Sequence, residues 1–270
     1  MSHPQRIIVA GASGRMGRML VRAVSEHRHT TLVAATERPG SEMLGRDAGE
    51  VAQIETLGIP LISTLSQAPE ADILIDFTAP VATLEHAAYV AEQGMRIVIG
   101  TTGFTPEQMQ QLQQTLAQSA VVMAANYSVG VNLALNLIEQ AAAVLDHDYD
   151  AEIFEAHHRH KVDAPSGTAL AMGEALARGR QVNLSDVAVR ARDGITGARK
   201  PGSIGFSVVR GGNIVGEHKA MFIADEERIE INHLAADRMV FARGAVRAAH
   251  WLSTQPRGWY NMQDVLNLNR

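Results

Sequence analysis

The chain has 270 residues, 46% hydrophobic and 20% charged, a balance that can fill one large core or two modest ones. It contains no cysteine, which excludes a disulfide framework and any cysteine-ligated zinc or iron–sulfur site, and fits a reducing compartment. The formal net charge is −5 without a long run of Lys or Arg, and no stretch approaches the roughly 20 apolar residues of a membrane span, so neither nucleic acid nor membrane is an expected partner.

From the N-terminus, Met1–Ala10 lacks the apolar core of a signal peptide, and a cytoplasmic protein is expected. Arg6–Ala10, Leu32–Thr36, Ile73–Phe77, Arg96–Ile99 and Ala120–Ala124 read as strands. The third and fourth are continuous Ile, Leu and Val, as strands buried on both faces are. Helical period separates them: Met16, Met19, Leu20, Ala23 and Val24 share one face, as do Leu84, Ala87, Ala88 and Ala91. Strands alternating with helices predict an α/β fold with a doubly wound, Rossmann-type parallel sheet.

After Asn126 the texture changes. A helix is expected over Val131–Leu145, then mostly strand and turn. Val187, Val189 and Ala191 alternate with Ala188, Arg190 and Arg192. Phe206–Arg210 and Ile214–Val215 flank Gly211-Gly212-Asn213, a hairpin signal, and Met221–Ala224 and Arg228–His233 flank Asp225-Glu226, a second one. These hairpins predict a C-terminal α+β domain with a mostly antiparallel sheet. The last helix, Met239–Ser253, carries Ala242, Ala245, Val246 and Ala249 on one face and is expected to pack back on the first sheet. The expected domains are therefore 1–128, completed by 239–270, and 129–238.

The turn after the first strand, Gly11-Ala12-Ser13-Gly14-Arg15-Met16-Gly17, is a variant of the dinucleotide fingerprint. Its glycines permit a tight turn, and the helix it opens presents backbone N–H groups to a pyrophosphate. A glycine turn alone is often only structural. Here a strand precedes it, a helix follows, and Glu37 stands at the end of the second strand, where a carboxylate can accept ribose hydroxyls. Arg38 beside it is either a solvated loop cation or the partner of a 2′-phosphate, so NADH and NADPH are both expected cofactors. Further strand ends should line the same crevice: Phe77-Thr78, Gly100-Thr101-Thr102 and Ala124-Ala125-Asn126-Tyr127.

The densest chemistry lies in the segment from Glu155 to Ala169, where His157, His158, His160 and Lys161 fall within five residues. A metal site is not expected, because adjacent histidines on a strand point to opposite faces and no clear carboxylate completes a set. A solvated polar loop is the plain alternative. The residues that follow favour an acid/base and anion site: Ser166 suits an N-cap, Gly167 and Thr168 would aim N–H groups at an anion, and Lys161 adds a compact positive charge.

The loop from His157 to Ala169 resembles the signature of the 4-hydroxy-tetrahydrodipicolinate reductase (dihydrodipicolinate reductase) family. The resemblance extends through Gly11–Gly17, Asp76-Phe77-Thr78, Gly100–Phe104, Asn126–Gly130, Val215–His218 and Arg243–Arg247, nearly the whole chain. It implies a homotetramer whose 129–238 domain binds substrate and forms subunit contacts, and an activity that reduces a cyclic dicarboxylate imine in the diaminopimelate route to lysine. It also implies roles: His157 as general acid/base, Lys161 as a second proton donor, and His158, Gly167 and Thr168 as holders of the substrate carboxylates. The chemistry agrees, since hydride addition to a conjugated imine loads the ring with electron density that a proton must quench.

Two rival readings differ in what they leave unexplained. A two-domain NAD(P)-dependent dehydrogenase of another small acid, amino acid or sugar would share the glycine turn, but gives no reason for paired histidines before a Ser-Gly-Thr helix start. A dinucleotide-sensing regulator would need a DNA-reading or partner-binding module, and this acidic chain shows no basic helix.

Overall fold

In the computed structural model of the protein, residues 3–145 and 148–268 are described. The first half runs β1 (Gln5–Ala10), α1 (Arg15–Glu26), β2 (Thr30–Thr36), α2 (Ala48–Val51), β3 (Leu61–Ile62), β4 (Ile73–Asp76), α3 (Pro80–Glu92), β5 (Arg96–Ile99), α4 (Pro106–Thr115) and β6 (Ala120–Met123). There follow α5 (Val129–Val144), β7 (Asp150–His157), α6 (Gly167–Gly179), α7 (Leu184–Val187), β8 (Ala188–Val189), β9 (Ile204–Arg210), β10 (Gly216–Ile223) and β11 (Arg228–Ala235). The chain closes with α8 (Met239–Leu252), β12 (Gly258–Tyr260) and α9 (Met262–Val265). Two compact units divide it: Met1–Val129 with Arg238–Arg270, and Gly130–Asp237.

The first unit is a seven-stranded sheet in the order β12-β6-β5-β4-β1-β2-β3, parallel at every pairing. Both faces are covered, which is why β1, β4 and β5 are apolar without alternation. Ile7, Val9, Ile73, Ile75 and Val98 pack with Leu20, Val24, Ala242, Ala245 and Ala249 from α1 and α8. Ile8, Leu74, Ile97 and Ile99 turn the other way, onto Ala87, Val90, Leu112 and Leu116 of α3 and α4. α8 packs on this sheet through its small-residue face. β12 adds a strand beyond β6 that three residues were too short to announce.

The second unit carries a five-stranded mixed sheet, β11-β10-β7-β9-β8, with α5 and α6 contributing Ala134, Ile138, Met172 and Leu176 to the core on it. β10 is antiparallel to both β11 and β7, and β9 is parallel to both β7 and β8. The hairpin around Asp225-Glu226 forms, its ladder running from Ile223↔Arg228 to Gly216↔Ala235. The one expected around Gly211–Asn213 does not. β7 lies between β9 and β10 and takes a ladder from each, and Gly211 N–H donates to the His157 carbonyl at 2.9 Å. The alternation over 187–192 is also cut short. Val187 ends a helical turn, β8 stops at Val189, and the guanidiniums of Arg192 and Arg199 draw the following segment onto the Glu152 carboxylate instead.

Candidate active site

The strand order β3-β2-β1-β4-β5-β6 reverses direction between β1 and β4, and ligands of open α/β sheets bind outside the carboxyl ends at such a point. A cleft of about 810 Å³ lies there, lined by Gly11, Ser13 and Gly14 after β1, Thr36–Pro39 after β2, Ser63–Ser66 after β3 and Phe77–Ala79 after β4. Gly11 holds φ +66°, and Gly17 packs the helix so closely on the turn that a Cβ there would lie 2.0 Å from the Gly11 carbonyl oxygen. Gly14 is the N-cap of α1, with no side-chain hydrogen bond of its own, so the first N–H groups of the helix open toward the turn.

Glu37 does more than face the cleft. Its Oε2 accepts from Ser13 N at 3.0 Å and Ser13 Oγ at 2.5 Å, and its Oε1 accepts from Arg38 N at 3.0 Å. Burial pulls its pKa upward, but these bonds outweigh it and hold the carboxyl below its ordinary value. The carboxylate thus braces the glycine turn and keeps lone-pair capacity for a further donor. Arg38 is exposed at the cleft edge.

Not every expected cofactor residue comes to that cleft. Ala12 is buried and donates to the Thr36 carbonyl at 2.9 Å, while Arg15 and Met16 begin α1 on its outer and inner sides. Thr101 turns inward to Thr78 and Thr83, in a cluster around the buried Asp76 that also takes a 2.8 Å contact from His86 Nδ1. Gly100 donates to Asp76 O at 2.8 Å, and Thr102 follows it, exposed. Tyr127 is buried and donates to the Ile99 and Val122 carbonyls, while Asn126 accepts from Ser128 N at 2.8 Å beyond Ala124 and Ala125. The sequence reading missed Ser63–Ser66, because the two residues of β3 carry no readable period, and Val81, Glu85, His86 and Tyr89 of α3, which complete the cleft.

In the second unit, strand alternation gathers the chemistry. Ala151, Ile153, Glu155 and His157 share the core face of β7, so the face passes from apolar to polar toward its end. His218 on β10 stands directly across from Glu155, and Arg210 on β9 across from His157. Arg210 donates to both oxygens of Glu155 at 2.7 Å, and His157 Nδ1 lies 2.6 Å from Glu155 Oε2. Ser166 caps α6 by accepting from Ala169 N at 3.2 Å, its own N–H donates to Glu155 Oε1 at 3.0 Å, and its Oγ is 3.0 Å from His218 Nε2.

Gly167 and Thr168 are therefore the first two residues of α6, where helix geometry provides N–H groups with no intrahelical acceptor. Lys161 pairs with Asp163 at 2.9 Å, and Arg210 donates to the Asp163 carbonyl at 2.7 Å, tying the loop down. His158 follows β7, 6.3 Å ring to ring from His160. Glu155, Arg210 and His218 are the site residues that sequence reasoning missed. A Glu two positions before a His on a strand was the available signal for the first; Val215–His218 carried the family resemblance without showing what His218 meets, and nothing local pointed to Arg210. Among the described residues, no group of three or more His, Cys, Asp or Glu is arranged to hold a metal ion, and no helix is long and apolar enough to cross a membrane.

A parallel dinucleotide-type sheet with a braced glycine turn, joined in one chain to a unit that sets an imidazole beside a capped helix start, defines a two-domain nicotinamide-dependent oxidoreductase. Family models described as dihydrodipicolinate reductase, N-terminus and C-terminus, match residues 5–127 and 130–266. The 4-hydroxy-tetrahydrodipicolinate reductase of Ruegeria pomeroyi is 53% identical over 269 residues, covering 99% of this chain and 100% of that protein. That of Psychrobacter arcticus is 52% identical over 262 residues, 97% and 94% of the two chains. A solved dipicolinate-bound dihydrodipicolinate reductase from Paenisporosarcina sp. TG-14 shares the fold at a TM-score of 0.76, with 23% identity over 97% of this chain and 98% of its own. The chain belongs to the dihydrodipicolinate reductase family.

Proposed function

We propose that this chain reduces 4-hydroxy-tetrahydrodipicolinate to tetrahydrodipicolinate in the diaminopimelate route of lysine biosynthesis, with NADH or NADPH as reductant. One hydride and one proton enter the ring and one water leaves. The observation that carries this reading is the Glu155 carboxylate, which binds His157 with one oxygen and the Ser166 start of α6 with the other. A proton carrier and an anion-receptive helix start thus share one anchor, as reduction of an anionic imine requires.

The braced turn fits a dinucleotide: with the Ala12, Ser13 and Gly14 N–H groups spent on holding the turn, it brings the start of α1 at Arg15 and Met16 to a pyrophosphate, and Glu37 and Arg38 line the cleft where a ribose and a 2′-phosphate would be recognised. Gly100 and Thr102 after β5 and Ala124, Ala125 and Asn126 after β6 are the further strand-end residues that would meet the cofactor, while Thr101 and Tyr127, turned inward, hold those strand ends. When bound, the reduced cofactor supplies the hydride. His157 supplies the proton and Lys161 is a second donor, while His158 and the backbone of Gly167 and Thr168 hold the carboxylates. The enzyme works in the cytoplasm as a homotetramer. The 130–237 unit forms its contacts, in keeping with Val208, Val209, Ile229 and Leu234, which β9 and β11 leave exposed.

Turnover of synthase-generated substrate, followed by loss of reduced-nicotinamide absorbance with each cofactor separately, tests the reading. His157→Gln should lower kcat by roughly 10²–10⁴-fold, the range for a general acid. Lys161→Ala should lower kcat and raise KM. No turnover with either cofactor, or near-normal kcat in both variants, overturns it.

A further inference from the structure

Glu155 is 1% exposed, a charge almost wholly out of water. Such burial is costly unless the charge is fully bonded, and here it is. Arg210 donates to both oxygens at 2.7 Å, Ser166 N–H donates to Oε1, and His157 Nδ1 meets Oε2 at 2.6 Å. Burial by itself would raise the Glu155 pKa, but the bonds from Arg210 and His157 prevail and keep it below its ordinary value. Glu155 is therefore ionised at neutral pH, and an ionised carboxylate only accepts hydrogen bonds.

The consequence falls on His157. The proton in the 2.6 Å contact sits on Nδ1 whatever the charge of the ring, so Nε2 is the nitrogen at which a proton is held or released. The chain keeps that nitrogen clear: a Cβ at Gly216 would lie 3.1 Å from it. His218, its ring 5.0 Å away and edge-on, is pushed down to a pKa of about 4 by burial and by His157, so it stays neutral and adds no positive charge beside the ring.

We propose that Glu155 is a positioning residue for the reduction: it fixes the Nδ1–H tautomer of His157, so that Nε2 presents the proton, and with its other oxygen it sets the start of α6. This rests on His157 being the proton donor. The carboxylate touches no substrate atom in this role; it acts through the imidazole and through Ser166.

Two-bond ¹⁵N–¹H correlations on the ¹⁵N-histidine-labelled full chain read the tautomer directly. The neutral ring of His157 should carry its proton on Nδ1 in the wild-type protein; a dominant Nε2–H form overturns the proposal without any substitution. Glu155→Gln keeps the size and removes the charge. It should lower kcat by at least about 10-fold and at most by the loss in His157→Gln, roughly 10²–10⁴-fold. In the double variant Glu155→Gln/His157→Gln, kcat should match His157→Gln alone, because groups that act as one unit are not additive. Losses that multiply overturn the proposal. If Glu155→Gln does not fold, the wild-type tautomer still decides. Normal kcat in His157→Gln alone removes the reading underneath, an outcome distinct from a wrong tautomer.

Discussion

Replacing His218 by Gln should flatten the stability of the protein between pH 7.5 and 5. His218 is 5% exposed, and burial together with the neighbouring His157 lowers its pKa from 6.5 to about 4. The folded chain therefore refuses a proton that the unfolded chain accepts. As pH falls through 6.5, the unfolded state gains that proton first and stability drops; the loss ends only near pH 4, where the folded state takes the proton too. At pH 5 a single group with these two values costs about 2 kcal/mol relative to pH 7.5, and over the full window about 3 kcal/mol. Urea unfolding of wild type and His218→Gln at both pH values measures it. The variant loses the contact to Ser166 Oγ, so its absolute stability will be lower, and only the difference between the two pH values is diagnostic. His27, His233 and His250 are also depressed, by burial first, but they titrate in both proteins and cancel in the comparison. Equal pH dependence in wild type and variant would refute the reasoning.

Gly17→Ala forces a Cβ to within 2.0 Å of the Gly11 carbonyl, so the turn must shift by about 1 Å. Affinity for NADH and NADPH alike should fall by roughly 10²-fold in a fluorescence titration, and an unchanged Kd would show that the turn does not hold the cofactor. Arg38→Ala should weaken NADPH by about 1.5–3 kcal/mol, the worth of a charge-assisted bond, and spare NADH; equal loss for both rules out a 2′-phosphate contact. Sedimentation at micromolar concentration should give a tetramer, and a stable, active monomer contradicts that assembly.

The first sheet was legible because burial on both faces leaves a local mark. Ile73–Asp76 and Arg96–Ile99 are apolar without alternation, and the glycine turn and Glu37 fall at strand ends that such runs define. The loop from His157 to Thr168 was legible as a motif, and Ser166 as a cap, because capping is decided within four residues. Partner choice between strands leaves no such mark. Gly211–Asn213 reads as a hairpin turn, yet β9 and β10 lie on opposite sides of β7. Periodicity states which face a residue turns to, and is silent on which strand lies beside it. That same silence hid the centre of the second unit: Arg210 is 55 residues from Glu155, and His218 is 52 residues from Ser166. Only the pairing of β7 with β9 and β10 brings the guanidinium and the second imidazole to the buried carboxylate. The types of residue the chemistry needs were present in the sequence, while which of them meet was decided by long-range ladders whose energy comes from the apolar face they share.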